Sequence, residues 1–246
     1  MEVHAHTHPA AGGTRKKWTH YFWEFFMLFL AVTLGFFVEN QREHYIEKHR
    51  AKQFAASLTE DLKNDVSRFG IIISSREIKK ETFNTLMDEL EKPPGNQNDS
   101  LIFHITAENL LNRSNIIPST GTYQQIKNSG SLRYIEAGIA SDLVKYEGSL
   151  EMLEASFDLD DKYLIENVVK LREEICNPKY LRLKREQKTF IVSEPLVSKN
   201  VTIQLELYKA LNFLQERNQI YIRQMTTTRA RADSLISKLK KYYSIK

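Results

Sequence analysis

Few side chains in this chain could do chemistry: seven histidines, one cysteine and some clustered carboxylates. His4, His6 and His8 alternate near the start, and alternate imidazoles in a flexible chain can chelate zinc, nickel or copper. Apart from Glu2, no carboxylate or thiolate at useful spacing completes a rigid site there, so these three are weak metal candidates and adventitious binding is the plainer reading. Asp158-Leu159-Asp160-Asp161 gathers acids, but it lacks the third acid, the glycine and the terminal glutamate of a calcium loop. Cys176 follows Glu173 and Glu174, and neighbouring acids raise a thiol pKa rather than activate it, so it reads as a buried structural thiol. His20, His44 and His49 flank an apolar run, while His104 stands deep in the polar part with no evident partner. No G-x-S-x-G, H-E-x-x-H, Walker or G-x-G-x-x-G pattern occurs. No catalytic, cofactor-binding or metal site is assigned, no cofactor is expected, and the chain reads as a non-enzyme.

Glu24 is the acid whose setting is unusual, because it opens the apolar run Tyr21–Val38, YFWEFFMLFLAVTLGFFV. One reading is a carboxylate for proton or ion coupling within a membrane. The plainer one is an interfacial acid favoured by the helix N-terminus. Eighteen residues rising about 1.5 Å each span roughly 27 Å, near the thickness of a bilayer core. Trp18, Tyr21, Phe22 and Trp23 crowd one end, as interfacial aromatics do. A cleaved signal peptide would need small residues after the run, whereas this one ends in Gly35-Phe36-Phe37-Val38-Glu39. A transmembrane helix over 18–39 is therefore expected, with Ala31 and Gly35 forming a small-xxx-small pair that could admit a second helix. Arg15, Lys16 and Lys17 lie nearer the run than Arg42, Lys48, Arg50 and Lys52, which favours a cytoplasmic N-terminus and a polar part outside.

The whole-chain averages hide that window. Mean hydropathy is −0.44 over 246 residues, and 27% of residues are charged. A net charge of +4, from 35 Lys+Arg against 31 Asp+Glu, is too mild to indicate a nucleic-acid partner. A single Cys excludes an internal disulfide framework, and 9 Gly leave little material for a phosphate-cradling loop.

The polar part reads as helices. Residues 1–17 form a tail expected to be disordered, and 40–92 a helical stalk and first bundle helix with the stripe Phe54, Leu58, Leu62, Val66, Phe69, Ile73. Gly70 is expected to bend or break it before Phe83, Leu86 and Leu90 resume the stripe and Pro93-Pro94-Gly95 ends it. Residues 93–131 read as loops and short helices, one over Ile105–Leu111 and one capped by Thr122, with Asn128-Ser129-Gly130 as a stop and Ser131 as the next cap. A long helix over 132–176 follows Leu132, Ile135, Ile139, Leu143, Tyr146, Leu150, Leu153 and Phe157, then Leu164, Val168, Leu171 and Ile175. Asp160 or Asp161 would fall in its seam, and since unpaired acids there are costly, a kink or capped restart near Asp158 is expected. Residues 177–200 read as an irregular connection in which Thr189–Val192 has strand character. The last helix, 201–246, carries Ile203, Leu207, Leu211, Leu214, Tyr221, Met225, Ala232, Leu235 and Leu239, with Asn218 and Thr228 at seam positions. A polar seam residue can fix oligomeric state, so Asn218→Leu is expected to stabilise the bundle and loosen an oligomer. Apolar stripes on three long helices must be buried on one another, which predicts an all-α fold: a transmembrane helix, then an elongated bundle with coiled-coil-like helices.

Two stretches, WEFFMLFLAVTLGFFVENQREHYIEKHR at 23–50 and TYQQIKNSGSLRYI at 122–135, resemble a large group of uncharacterised single-pass bacterial membrane proteins known as domains of unknown function. The resemblance covers about half the chain and implies an inner-membrane anchor with a helical extracytoplasmic domain, and no activity. The partners expected are the lipid bilayer and either a second copy or another membrane or periplasmic protein. The expected role is a scaffold or interaction protein, with a sensory or regulatory module acting through a separate partner as the alternative.

Overall fold

The architecture was obtained as a computed structural model that describes residues 14–186 and 194–245. His4, His6 and His8 and the run Thr189–Val192 lie outside the described residues. The described residues are all-α and contain no named strand. The chain divides into two units, residues 1–51 and 52–246.

The first unit is described by a single element, the leading part of α1 (Thr14–Leu90). The helix starts at Thr14, four residues before the expected start of the span at Trp18. From Tyr21 to Val38 every side chain is exposed except half-buried Leu30. In the helix that contains this run, an 18-residue window has a mean hydropathy of 1.9 with none of it buried, which makes α1 long and apolar enough to cross a membrane.

The second unit holds the core. It comprises the rest of α1, α2 (Asp99–His104), α3 (Gly121–Asn128), α4 (Ala137–Tyr163), α5 (Val169–Ile175), α6 (Pro178–Arg185) and α7 (Val201–Tyr243). The stripes read from spacing are the buried faces: Leu58, Leu62 and Phe69 on α1, Ile139, Leu143 and Leu153 on α4, and Leu207, Leu211, Met225 and Leu239 on α7. Phe83 and Leu86 meet Ile102, Phe103, Val168, Ile175 and Leu211 in one apolar cluster. Gly70 does not break α1. The guanidinium of Arg229 lies 3.7–3.9 Å from where a Cβ at Gly70 would sit, so the glycine accommodates a close neighbour within a continuous helix.

Three other boundaries differ from expectation. The long helix begins at Ala137, not at Leu132, because the Glu136 carboxylate caps it, accepting from the backbone N–H of Gly138 (2.9 Å) and Ile139 (2.8 Å). Ser131, the expected cap, sits in a 3₁₀ turn (Ser131–Tyr134) after Gly130, whose φ of 68° is the left-handed stop. No break occurs at Asp158. The helix instead widens one turn later, at Leu164–Val168, and both seam acids are paired: Asp160 with Arg217 (2.7 Å) and Asp161 with Arg113 (2.9 Å). Likewise Thr120, not Thr122, precedes α3, and Ile105–Asn109 is a widened turn that extends α2. The connection expected to be irregular holds the unforeseen α6, and an antiparallel bridge between Cys176 and Leu196 closes it.

Leu211 is fully buried whereas Leu34 is exposed. Leu211→Ala is expected to cost about 2–5 kcal/mol through the cavity it leaves. Leu34→Ala should leave the transition unmoved, as read by urea unfolding of the full chain in mild detergent.

Candidate functional site

The segment between α2 and α3 is where side chains meet backbone in an unusual way. From Asn112 to Thr120 it has no regular structure, so its carbonyls and N–H groups have no ladder to join. One face of α1 supplies the partners. Lys79 Nζ donates to Asn112 O (2.7 Å), Arg76 Nη2 to Ser114 O (2.8 Å) and Arg68 Nη1 to Ile117 O (2.6 Å). Asp65 accepts from the Ser119 N–H (2.8 Å), and Asp61 from that of Thr122 (3.3 Å). Positions on the helix fall as those on the segment rise, so the two run antiparallel. Eighteen helical residues cover roughly 27 Å, and ten extended ones about 30 Å, so the lengths match. Cations hold the carbonyls and acids hold the N–H groups, each sign facing the dipole it suits. Asp65 is buried and also accepts from Tyr146 Oη (2.8 Å), which ties α4 to the same face.

The stretch TYQQIKNSGSLRYI at 122–135 has an architectural role here. Tyr123 Oη (2.8 Å), Gln124 Nε2 (3.3 Å) and Lys127 Nζ (3.1 Å) all reach Glu147, docking α3 on α4.

At the upper end of the clamp lies a buried polar centre. Arg76 is 7% exposed. Its guanidinium lies over the Tyr221 ring at 4.3 Å, and Nη1 reaches Asn218 Oδ1 at 3.4 Å. Its Nε has no hydrogen-bond partner. Tyr221 Oη donates to Asn115 Oδ1 (2.7 Å), and Asn218 Nδ2 donates to the Arg76 carbonyl (2.9 Å). One turn along, Lys79 lies 5.4 Å from the Phe83 ring centroid. Burial, aided by the positive Arg76 and Arg113, lowers the Lys79 pKa from 10.5 to about 8. Asp160 and Asp161 are nearby but engaged by Arg217 and Arg113. Among the described residues, therefore, neither Arg76 nor Lys79 forms an ion pair. Two openings meet at this pair: a cavity of about 30 Å³ lined by Arg76 and Lys79, and a groove of about 630 Å³ along α1 that shares Lys79 and Asn112 with it.

The residues singled out from sequence lie elsewhere. Tyr21, Phe22, Trp23, Glu24, Ala31, Gly35 and Val38 are all exposed on the apolar part of α1, and a Cβ at Gly35 would meet nothing within 4 Å. His104 does have a partner, since its Nδ1 lies 3.0 Å from Glu108 Oε1 one turn on. Cys176 is fully buried in the apolar cluster. Burial, not the neighbouring acids, pushes its thiol up to about 12. Asn218 is satisfied within the chain, so Asn218→Leu is expected to destabilise by about 1–3 kcal/mol, having stranded buried polar groups. Arg76 and Lys79 escaped the sequence reading because cations beside an apolar stripe are ordinarily solvated. The only signal was their three-residue spacing on the flank of that stripe.

No family model matches the chain, and no curated protein or solved structure matches it either.

The two large pKa displacements have opposite effects on stability. Between about pH 8 and 10.5 the unfolded chain keeps the Lys79 proton that the folded chain has released, so Lys79 makes stability rise with pH. Between about pH 9 and 12 the folded chain retains the Cys176 proton, which makes stability fall. Subtracting a Lys79→Met variant isolates the first contribution. Wild type should gain on the variant above pH 8 with a slope approaching about 1.4 kcal/mol per pH unit, as measured by urea unfolding at pH 7 to 10. Parallel curves would show that Lys79 is not buried as a cation.

Proposed function

We propose that this chain is a single-pass, membrane-anchored helical protein that acts by binding another macromolecule and not by catalysis. The observation that carries the reading is the apolar window of α1, with a mean hydropathy of 1.9 and none of it buried. Buried in a protein core, such a window would need covering side chains; here its natural solvent is lipid. The one aliphatic hydroxyl in the run fits that solvent, because Thr33 Oγ1 donates to the Phe29 carbonyl (2.8 Å) and asks nothing of its surroundings. The aromatic cluster at Trp18, Tyr21 and Trp23 suits the interface, and Arg15, Lys16 and Lys17 favour a cytoplasmic N-terminus.

The anchor is that of a bacterial inner membrane, with the helical unit on the periplasmic side, as the resemblance to uncharacterised anchored proteins implies. Scaffolding of a partner, or of a second copy, fits a domain whose hydrogen-bonded polar groups serve its own packing. Cys176 is sealed in the core, and His104 is committed to Glu108.

Membrane fractionation tests the anchor and its orientation. Expected are retention in the pellet after alkaline carbonate and, for C-terminal fusions, an active alkaline phosphatase with a dark green fluorescent protein. Release into the carbonate supernatant would defeat the anchored reading, and the reverse fusion pattern would defeat the orientation. Crosslinking in native membranes then reads the partner, and a monomer without crosslinked species would refute the scaffold.

A further inference from the structure

The polar centre holds more positive charge than its own carboxylates balance. Around it stand the cations Arg76, Lys79, Arg113 and Arg217, facing the acids Asp160 and Asp161. Arg217–Asp160 and Arg113–Asp161 are paired at 2.7 and 2.9 Å, which leaves Arg76 and Lys79 without an ion pair of their own among the described residues, with Asp160 acting on both only from a distance. Carbonyl dipoles and aromatic faces satisfy part of their hydrogen bonding but cancel no net charge. A buried arginine without an ion pair, beside a half-buried lysine that also lacks one, is expensive, and a protein ordinarily neutralises such groups or supplies an anion. The Arg76 Nε–H, buried and without an acceptor, marks a specific vacancy in the hydrogen-bonding.

We propose that Arg76 and Lys79 are the receiving end of a binding site for a small organic acid, whose carboxylate sits between them and whose body lies in the groove beside α1. Size selects the carboxylate. The cavity of about 30 Å³ lined by both cations has room for about two water-sized atoms, which suits the two oxygens of a planar carboxylate better than the four of a phosphate. Arg is the side chain whose fixed donor geometry best matches that plane. The groove suggests the body of the acid. Its wall sets the hydroxyls of Ser67, Ser74, Ser75 and Thr82 and the amide of Asn112 beside the exposed side chains of Ile71 and Ile78, which suits a body longer than acetate with both carbon and hydroxyl groups to present. Since Lys79 and Asn112 line both compartments, one molecule can occupy both. The site is independent of the anchored-scaffold reading, and it would give the sensory alternative the ligand it requires.

The test uses the full chain in mild detergent, with acetate, gluconate, inorganic phosphate and chloride at matched ionic strength. Thermal unfolding and equilibrium dialysis of radiolabelled gluconate are the readouts. Gluconate should raise the melting temperature saturably, acetate less, and phosphate no more than chloride. Arg76→Met and Lys79→Met should each weaken gluconate binding at least ten-fold. Because Lys79→Met also frees the Asn112 carbonyl, its fold is checked separately, and its ligand-free helical circular dichroism should match wild type, so that its loss of binding is not misfolding. A gluconate effect no larger than that of chloride would overturn the site, as would full binding by the Lys79→Met variant. A larger effect of phosphate would overturn the carboxylate assignment, and equal shifts with acetate and gluconate would overturn the role of the groove.

Discussion

The irregular segment from Asn112 to Thr120 imposes the constraint on which the helical unit depends. A stretch of chain packed against a helix must place its carbonyls and N–H groups somewhere, and a bundle has no sheet to receive them. The solution is a set of side chains on α1, three cations and two acids, that grip the segment at intervals matching its length. Other features follow from this grip. Asp65 is held in the interior because two donors reach it, one from the segment and one from α4. Arg76 is buried between its carbonyl partner, Ser114, and the Tyr221 ring. Asn218 on α7 then finishes the arrangement by bonding both the Arg76 side chain and its backbone carbonyl.

Paired acids on the other side balance this polar layer. Asp160 and Asp161 project from α4 toward arginines on α7 and on the segment, so α4, α7, α1 and the irregular chain meet around one group of charges. Apolar burial supplies most of the stabilisation, through the stripes of α1, α4 and α7 and the cluster around Phe83 and Leu211. It is non-directional, however, and tolerates sliding of helices. The charged contacts add direction, and each one would be lost on a shift of a single turn.

The apolar stripes were legible in the sequence because periodicity records burial directly: the positions read on α7, polar Asn218 and Thr228 included, face inward almost without exception. Features that rest on pairing across distant positions were not legible. The break expected at Asp158 failed because its premise, an acid without a partner, could not be checked without knowing that Arg217 and Arg113 would arrive. Gly70 was read as a weakness because its neighbour, Arg229, is far away in the chain. The start at Ala137 was missed because Glu136 caps with a longer side chain than the Ser that spacing favoured. Most of the polar centre was invisible for a related reason. Lys79 and Arg76 sit where a solvated face is the natural reading, and it is the irregular segment together with Tyr221 and Asn218 of α7 that covers Arg76 and half-covers Lys79.

The clamp on that segment has an evolutionary reading. Side chains that recognise carbonyls and N–H groups are indifferent to which residues those groups belong to. Apart from Asn112, Arg113, Asn115 and the buried Ile116, the sequence from Asn112 to Ser119 is thus at liberty to drift, while Asp61, Asp65, Arg68, Arg76 and Lys79 are not. In descendants of a common ancestor the helix should therefore hold nearly constant beside a loop whose letters change, and any insertion in that loop would have to be met by a matching step along α1.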